Sequence, residues 1–377
     1  MYCKRVKLTN FRNVSECDVE FCDGINILAG ENAQGKTNLL EAIFYASVGR
    51  SFRASSANEM ILFGKKSASV SIDYMSDKKE RGDNITIHLF SDKKKTVEKN
   101  HLRVERLSDI VGSFRSVLFC PEHLSLIKDG PLERRTYLDI AISRISPKYI
   151  HSLQRYAYFL KQRNALIKSA AKNREVFDAT VDLWSEQLAA EAAEISAQRL
   201  QFIKRVANIV TVCFEEMTGK KESVDIIYRG SASLSGDEYL DKELVKQKYI
   251  DLLSSSHDRE IFVGSTLWGI HKDDIEIKLN SKNARAYASQ GQQRSLALAL
   301  KLAEGEICRE EFGDYPVFLF DDVLSELDDT RRDYMIRFAT GKQVIITTCE
   351  MAVLNNLQAD KKILVESGTY RELKIDN

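Results

Sequence analysis

The stretch that decides the fold is Gly30-Glu31-Asn32-Ala33-Gln34-Gly35-Lys36-Thr37. It fits the pattern G-x-x-x-x-G-K-[ST], a glycine-rich loop whose backbone N–H groups surround a phosphate. Residues 24–29 before it read as a short buried strand, and residues 38–48 after it carry apolar side chains at helical spacing. The pattern requires this context, so we expect Lys36 to reach the β- and γ-phosphates and Thr37 to offer a Mg²⁺ ligand.

A second apolar run, Val317-Phe318-Leu319-Phe320, ends in two carboxylates, Asp321 and Asp322. A buried strand that delivers an aspartate at its carboxyl end is how phosphate-loop folds hold Mg²⁺. We therefore expect Asp321 to bind the metal and Asp322 to orient or deprotonate the attacking water. An acidic strand end is common in other proteins, so this reading depends on the phosphate loop found in the same chain.

A third segment lies at the start of a helix predicted over residues 288–309 and contains Ser289, Gln290, Gly291 and Gln292. A hydroxyl, a bare glycine backbone and helix-end N–H groups suit a γ-phosphate. Because the phosphate loop already provides one such site, the segment indicates a composite site in which one copy of the chain caps a nucleotide held by another. An ordinary helix cap is the alternative.

The composition is that of a folded protein with about two to three domains in 377 residues. Lys plus Arg and Asp plus Glu both number 55, and hydrophobic residues make up 44%. This balance argues against a disordered chain, and no apolar run approaches the length of a membrane span. We see no signal peptide, and the seven scattered cysteines are typical of reduced thiols, so we expect a cytoplasmic protein.

The two ends of the chain read as one α/β head, interrupted by a helical insertion. We expect the head over residues 1–120 and 260–377, with a β-rich subdomain at about 60–110 and a mainly helical arm at 121–259. Apolar residues from Trp184 to Met217 keep a period near 3.5, which predicts one helix of about 40 residues. The helix from Pro147 onward would fold against it as an antiparallel partner.

Charge is strongly segregated along the chain. Between residues 144 and 174 there are eight Lys or Arg and no acid, interleaved with tyrosines. Such helices could track a DNA backbone, and we take Arg155, Lys161, Arg163 and Lys168 as the candidate DNA contacts. The alternative is a solvated helix face, because ordinary helices often have one basic side.

These elements, in this order, resemble the ATP-binding-cassette class of ATPases and, within it, the RecF family. Further segments that carry the resemblance are Leu8-Thr9-Asn10-Phe11-Arg12-Asn13, Gly49-Arg50-Ser51-Phe52-Arg53, Phe119-Cys120-Pro121-Glu122-His123-Leu124, Leu160-Lys161-Gln162-Arg163-Asn164-Ala165 and His271-Lys272-Asp273. Ser325-Glu326-Leu327-Asp328 stands where the class has its D-loop. Thr347-Thr348-Cys349 replaces the histidine of many cassette ATPases.

The resemblance implies a P-loop ATP-binding-cassette head with an antiparallel β subdomain and an inserted helical arm. It implies ATP and Mg²⁺ as cofactors, an ATP-dependent homodimer on double-stranded DNA at gaps or stalled forks, and weak, DNA-stimulated ATP hydrolysis as a switch. RecR and RecO would be its partners in loading recombinase. ATP binding carries over to Gly30 through Thr37 and, in trans, to Ser289 through Gln292; catalysis carries over to Asp322 and to Glu122 near the Q-loop position. A transporter ATPase subunit and a nucleotide-binding scaffold without turnover are the alternatives.

Overall fold

The computed structural model describes residues 1–76, 81–219, 222–324, 327–350 and 359–373. The strands are β1 (Tyr2–Phe11), β2 (Val14–Glu20), β3 (Ile25–Ala29), β4 (Ser67–Met75), β5 (Asp83–Phe90), β6 (Thr96–Lys99), β7 (Leu102–Val104), β8 (Ser116–Phe119), β9 (Val224–Arg229), β10 (Asp274–Leu279), β11 (Lys282–Asn283), β12 (Val317–Asp321), β13 (Val344–Thr348), β14 (Lys361–Glu366) and β15 (Thr369–Leu373). The helices are α1 (Lys36–Val48), α2 (Ser125–Lys128), α3 (Pro131–Ile145), α4 (Pro147–Ser169), α5 (Arg174–Thr218), α6 (Lys242–Ser254), α7 (His257–Val263), α8 (Ala284–Tyr287), α9 (Gln290–Phe312) and α10 (Asp329–Ala339).

The described chain divides into two units. The first comprises Met1–Leu124, Val212–Lys221 and Arg294–Asn377, and the second comprises Ser125–Thr211 and Glu222–Gln293. The sequence predicts that the second part of the head begins at residue 260, whereas in the structure the first unit resumes at Arg294. The difference arises because β9, β10 and β11 form a small antiparallel sheet that belongs to the second unit.

A mostly parallel sheet in the order β15-β14-β3-β13-β12-β8 forms the core of the first unit. All residues of β12 and β13 are buried, as expected for central parallel strands covered on both faces. β3 pairs in parallel with β13 and β14, and only β15 joins the described sheet in the antiparallel sense. The carboxyl ends of β3, β12 and β13 therefore meet at one edge, where ligands bind in open α/β sheets.

A second sheet of the first unit is wholly antiparallel, in the order β2-β1-β4-β5-β6-β7. Buried and accessible residues alternate along β1, β4 and β5, because one face packs inward and the other is accessible to solvent. The expected β subdomain is confirmed, and it is larger than predicted because the first two strands of the chain complete it.

The second unit contains α4 and residues 174–211 of α5, which form the predicted helical pair. α5 is 45 residues long in the structure, and α4 runs antiparallel to it. Their side chains meet in pairs whose numbers rise on one helix as they fall on the other: Tyr149 with Arg199, Arg155 with Glu191, and Arg163 with Ser185. None of the helices in the described part of the chain combines the length and apolar character that a bilayer span requires.

Candidate nucleotide-binding site

The glycine-rich loop connects β3 to α1, and two of its positions, Gly30 and Gly35, require glycine. A Cβ on Gly30 would lie 2.2 Å from the backbone oxygen of Val365, so only glycine fits there. Gly35 has a φ of 114° and precedes the first residue of α1, and no described side chain caps that helix terminus. The backbone N–H groups at the start of α1 can therefore bind a ligand, because no described side chain caps them.

Neighbouring segments hold the loop in place. The Asn13 amide donates to the Ala33 oxygen at 3.1 Å, and the Tyr370 hydroxyl donates to the Gly35 oxygen at 3.0 Å. The Gly368 amide donates to the backbone oxygen of Gln34 at 2.9 Å. The β14–β15 hairpin thus braces a loop that would otherwise have to be ordered by its ligand.

Lys36 is buried at the centre of this loop. Its Nζ donates to the backbone oxygens of Gly30 at 2.6 Å and Glu31 at 2.7 Å. Burial lowers the pKa of Lys36, and the charges of Asp322 and Asp321 oppose that shift. The Lys36 ammonium is therefore positioned at the loop, where it can bind a phosphate.

Thr37 and Asp321 lie 284 residues apart in sequence and meet at the end of β12. The Thr37 hydroxyl donates to Asp321 Oδ1 at 2.9 Å, and the Thr347 hydroxyl donates to the same oxygen at 2.7 Å. Burial raises the pKa of Asp321, while these two hydrogen bonds stabilise its charged form. The structure therefore brings together the two residues predicted to bind a metal.

Asp322 follows in a left-handed conformation, with a φ of 51°. Its backbone N–H donates to the Thr347 hydroxyl at 2.9 Å, and the Cys349 thiol lies 3.8 Å from its Oδ1. Asp321 is the last residue of β12, and both carboxylates line the same cleft. Non-glycine residues with positive φ are concentrated at functional sites.

A cleft of about 950 Å³ opens beside these residues. Its lining combines the loop, Asp321, Asp322 and Thr347 with Arg12, Asn13 and Arg53. Arg53 was not predicted from the sequence as a residue of this site, yet its positive charge opposes the rise that burial causes in the pKa of Asp321. The sequence feature that could have indicated Arg53 is its position in the segment that follows α1, Gly49-Arg50-Ser51-Phe52-Arg53.

Glu122 lies just beyond the end of β8, the strand beside β12. It is exposed, and its charge raises the pKa of Asp321, so the two carboxylates interact electrostatically. Glu122 does not line the cleft that contains Asp321 and Asp322. Of the expected D-loop, Ser325 and Glu326 lie outside the described residues, whereas Asp328 caps α10 through the Arg331 amide.

The segment Ser289 to Gln292 is a capped helix start in the second unit. Ser289 Oγ accepts from the Gln292 amide at 3.3 Å, and Gln292 Oε1 accepts from the Ser289 amide at 2.8 Å. This reciprocal pair is the capping-box geometry. Gln290 begins α9, and Ser289, Gln290 and Gly291 stand at the amino end of that 23-residue helix.

The four candidate DNA contacts on α4 have different surroundings. Lys161 and Lys168 are exposed. Arg155 forms a bidentate ion pair with Glu191, at 2.5 and 3.0 Å. Arg163 is completely buried and donates to Ser185, Thr266 and Glu260. The inclusion of Arg163 in a DNA-contacting face is therefore corrected: its guanidinium belongs to the core of the second unit.

The donor set at the end of β12 suits a small hard cation that also binds a nucleotide. A threonine hydroxyl and an aspartate are oxygen ligands, and Mg²⁺ usually takes one or two protein ligands together with substrate phosphates. Among the described residues there is no cluster of three or more His, Cys, Asp or Glu side chains that could hold a metal ion. The described side chains therefore do not enclose a metal by themselves. The amides of the loop and Lys36 provide the complementary phosphate ligands.

Comparisons with known proteins agree with this geometry. Residues 2–371 match the family model described as RecF/RecN/SMC N terminal domain. The chain is 38% identical to the DNA replication and repair protein RecF of Ruminiclostridium cellulolyticum over 357 residues, 95% of each chain. It is 40% identical to that of Pediococcus pentosaceus over 353 residues, 93% of each chain.

Solved structures give the same picture. One described as the recombination mediator protein RecF-ATPrS in the RecFOR pathway superposes with a TM-score of 0.92 at 34% identity, covering 99% of this chain and 98% of the other. A RecF-ATP structure gives 0.89 at 34% identity and covers 99% of both chains. An Smc head domain from Pyrococcus furiosus, at 19% identity, shares the fold with a TM-score of 0.58. The chain therefore belongs to the RecF family of DNA replication and repair proteins, within the wider RecF/RecN/SMC group.

Proposed function

We propose that this protein is an ATP-dependent, DNA-binding recombination mediator. ATP joins two copies of the chain, the dimer binds double-stranded DNA at gaps or stalled forks, and slow hydrolysis releases it. The role is to support recombinase loading in DNA repair and replication restart, together with RecR and RecO, in the cytoplasm. The relatives that match over nearly the whole chain are named for DNA replication and repair, which supports this assignment.

The observation that carries the proposal is the meeting of Thr37 with Asp321. A phosphate loop by itself can bind many phosphorylated ligands. A hydroxyl at its last position, 2.9 Å from a buried carboxylate at the end of β12, two strands away from β3 in the same sheet, is the arrangement that holds a nucleotide-bound Mg²⁺. The related RecF-ATP and RecF-ATPrS structures support ATP as the nucleotide.

Each residue of the site has a distinct task in this proposal. ATP supplies a phosphoanhydride bond, and Mg²⁺ neutralises charge on its phosphates when bound. Lys36 holds phosphate oxygens and exchanges its contacts with the Gly30 and Glu31 oxygens for them. Thr37 and Asp321 hold the cation, and Asp322 orients the attacking water and accepts its proton. The hydroxyl of Thr347 keeps Asp321 and Asp322 in their places.

The proposed dimer depends on the segment from Ser289 to Gln292. In this proposal the amino end of α9, with Ser289 and Gly291, caps the γ-phosphate of ATP held by the partner copy. ATP would then act as part of the interface, and its hydrolysis would remove the charge that holds the copies together. Turnover can be slow in such a switch, because each hydrolysis event ends a bound state.

The test is sedimentation of the full chain with ATP, with a non-hydrolysable analogue and without nucleotide. Nucleotide should double the mass of the wild type, whereas Ser289→Arg should bind nucleotide and stay monomeric. Lys36→Arg should lose dimerisation and duplex binding together. An unchanged mass with ATP, or equal duplex affinity with and without ATP, would overturn the proposal.

Hydrolysis is tested separately with Asp322→Asn. This variant should bind ATP, dimerise and remain on DNA, because only the step that ends the bound state is removed. Its turnover should fall by about a hundredfold or more, the range typical of a lost general base. Unchanged turnover would support a nucleotide-binding scaffold instead of an ATPase switch.

A further inference from the structure

A second concave surface lies within the first unit, next to the nucleotide cleft. It is a groove of about 900 Å³ between the segment that follows α1 and the β5–β6 turn. We call it the basic groove. Its charged lining consists of Arg50, Arg53, Lys93, Lys94, Lys95 and Arg103, with Glu105 as the one carboxylate among the described residues that line it.

The net charge of the chain is zero, so a groove with six basic residues and one acid is a strong local departure. Arg50, Arg53, Lys93, Lys94 and Arg103 are all exposed. Lys93 lies over the Phe90 ring at 4.0 Å, which places its charge on the turn rather than in an ion pair with an acid. Like charges that line one groove repel each other, and an anionic ligand reduces that repulsion.

The walls of the groove are ordered by contacts within the unit. Arg12 forms a bidentate ion pair with the buried Glu41 at 2.6 and 2.8 Å, and the Ser51 hydroxyl also donates to Glu41. Ser51 Oγ in turn accepts from the amides of Arg53 and Ala54 at 2.9 and 2.8 Å. The basic segment after α1 is thus anchored to the helix that begins at the phosphate loop.

The opposite wall is tied to the same helix. Lys95 Nζ donates to the Tyr45 hydroxyl at 3.0 Å and to the Gly49 oxygen at 3.1 Å, at the end of α1. Arg53 lines both the basic groove and the nucleotide cleft. A ligand in the groove would therefore contact the same segment that borders Asp321.

We propose that the basic groove binds the phosphate backbone of double-stranded DNA. The inference rests on the proposed function and names the surface that performs its DNA-binding step. Long, exposed Lys and Arg side chains on both walls of a groove can follow a chain of phosphates. Sequence-independent binding to single strands normally also needs exposed aromatic platforms for the bases. Here Tyr45 is buried and Phe52 packs against Phe44 at 5.9 Å, so the lining favours backbone contacts with duplex.

The experiment compares two charge-matched double variants of the full chain. Lys93→Glu with Lys94→Glu changes the groove, and Lys4→Glu with Arg371→Glu changes two exposed basic residues of the same unit outside its lining. Each pair lowers the net charge by four. Affinity for a duplex and for a single strand of equal length is measured with a non-hydrolysable ATP analogue at several salt concentrations. Melting temperature, dimer mass and ATPase activity without DNA serve as controls.

The groove variant should bind duplex about tenfold or more weakly, and the slope of log affinity against log salt should fall by about two. Its dimer mass and DNA-free ATPase activity should equal those of the wild type, and the control pair should bind within about twofold of the wild type. Retained duplex affinity, or equal weakening by the control pair, overturns the inference while the proposed function stands. Loss of affinity only in Lys161→Glu with Lys168→Glu assigns the DNA surface to the arm and also overturns it. A wild type that binds no duplex with ATP overturns the proposed function itself, and the groove assignment with it.

Discussion

The Thr347 hydroxyl donates a 2.7 Å hydrogen bond to Asp321 Oδ1 and accepts a 2.9 Å hydrogen bond from the Asp322 amide. One side chain on β13 therefore fixes both the carboxylate that faces Thr37 and the left-handed turn that orients the next carboxylate. Residues Asp321 and Thr347 are register partners in the parallel sheet, so the backbone pairing brings the hydroxyl to this place. Thr347 thus acts on the site through two other residues and is a positioning residue.

Thr347→Val should lower kcat by about tenfold or more while the KM for ATP changes little, because valine keeps the shape and loses the hydroxyl. Thr347→Ser keeps the hydroxyl and should retain most of the activity. Steady-state ATPase assays across ATP and Mg²⁺ concentrations test this pair. If Ser and Val variants lose activity equally, the side chain matters for packing and the positioning role is wrong.

The first glycine of the phosphate loop is a steric requirement. Gly30→Ala would bring a Cβ within 2.2 Å of the Val365 oxygen, and both groups are backbone or bound to it, so the strand or the loop must shift. We expect a loss of roughly 1 to 3 kcal/mol in the free energy of unfolding and a loss of nucleotide binding. Chemical denaturation and nucleotide titration measure the two effects.

Ala33→Gly in the same loop is the matched control, since Ala33 already has a φ of 63°. Glycine accepts that conformation without strain, so stability should stay within about 1 kcal/mol of the wild type. If Gly30→Ala and Ala33→Gly have equal stability and equal nucleotide affinity, the predicted clash of a Cβ at position 30 with the Val365 oxygen is wrong.

The sequence indicated the parallel sheet and the meeting of Thr37 with Asp321 because both depend on local patterns: all-apolar strands, a glycine loop and an acid at a strand end. It did not indicate that Thr347 holds two aspartates, since that depends on strand order. The pairing of β9 with β10 was not predicted, because it joins two strands that are separated in the sequence by residues 230–273.

Arg163 was wrongly predicted as a DNA contact for the same reason, because its burial depends on residues that are distant in the sequence. A count of basic residues between 144 and 174 measures charge, whereas exposure depends on which side of α4 faces α5. The carboxylate that neutralises Arg163 is Glu260, 97 residues away on α7. No feature of the basic segment itself signals this partner.

Removal of the Arg163 side chain should destabilise the protein strongly. Its guanidinium and the Glu260 carboxylate are both fully buried and lie 2.6 Å apart. Arg163→Ala would leave a buried carboxylate without its partner, which typically costs about 3 to 5 kcal/mol. Lys161→Ala, on the exposed side of the same helix, should change stability by less than about 0.5 kcal/mol. Urea unfolding of both variants measures the difference, and similar midpoints would contradict the buried ion pair.

The partly buried histidine of His271-Lys272-Asp273 predicts a pH dependence of the free energy of unfolding. His271 accepts from the Tyr156 hydroxyl through Nδ1 at 2.7 Å, and its Nε2 lies 3.2 Å from the Thr266 oxygen. Burial lowers the pKa of His271 to about 4, and the positive charges of Lys272, Arg135 and Arg163 act in the same direction. The neutral ring is therefore the folded form.

Between the folded pKa of about 4 and the ordinary value of 6.5, the unfolded chain binds the proton and the folded chain does not. The contribution of His271 is therefore complete above pH 6.5 and is lost as pH falls toward 4. From pH 7 to pH 4.5 the wild type should lose about 2 to 3 kcal/mol more than His271→Gln, which cannot titrate. Urea unfolding at both pH values measures this, with His123 titrating alike in both proteins. If the stability of the two proteins falls in parallel, His271 is not held neutral, and the hydrogen bond from Tyr156 must point the other way.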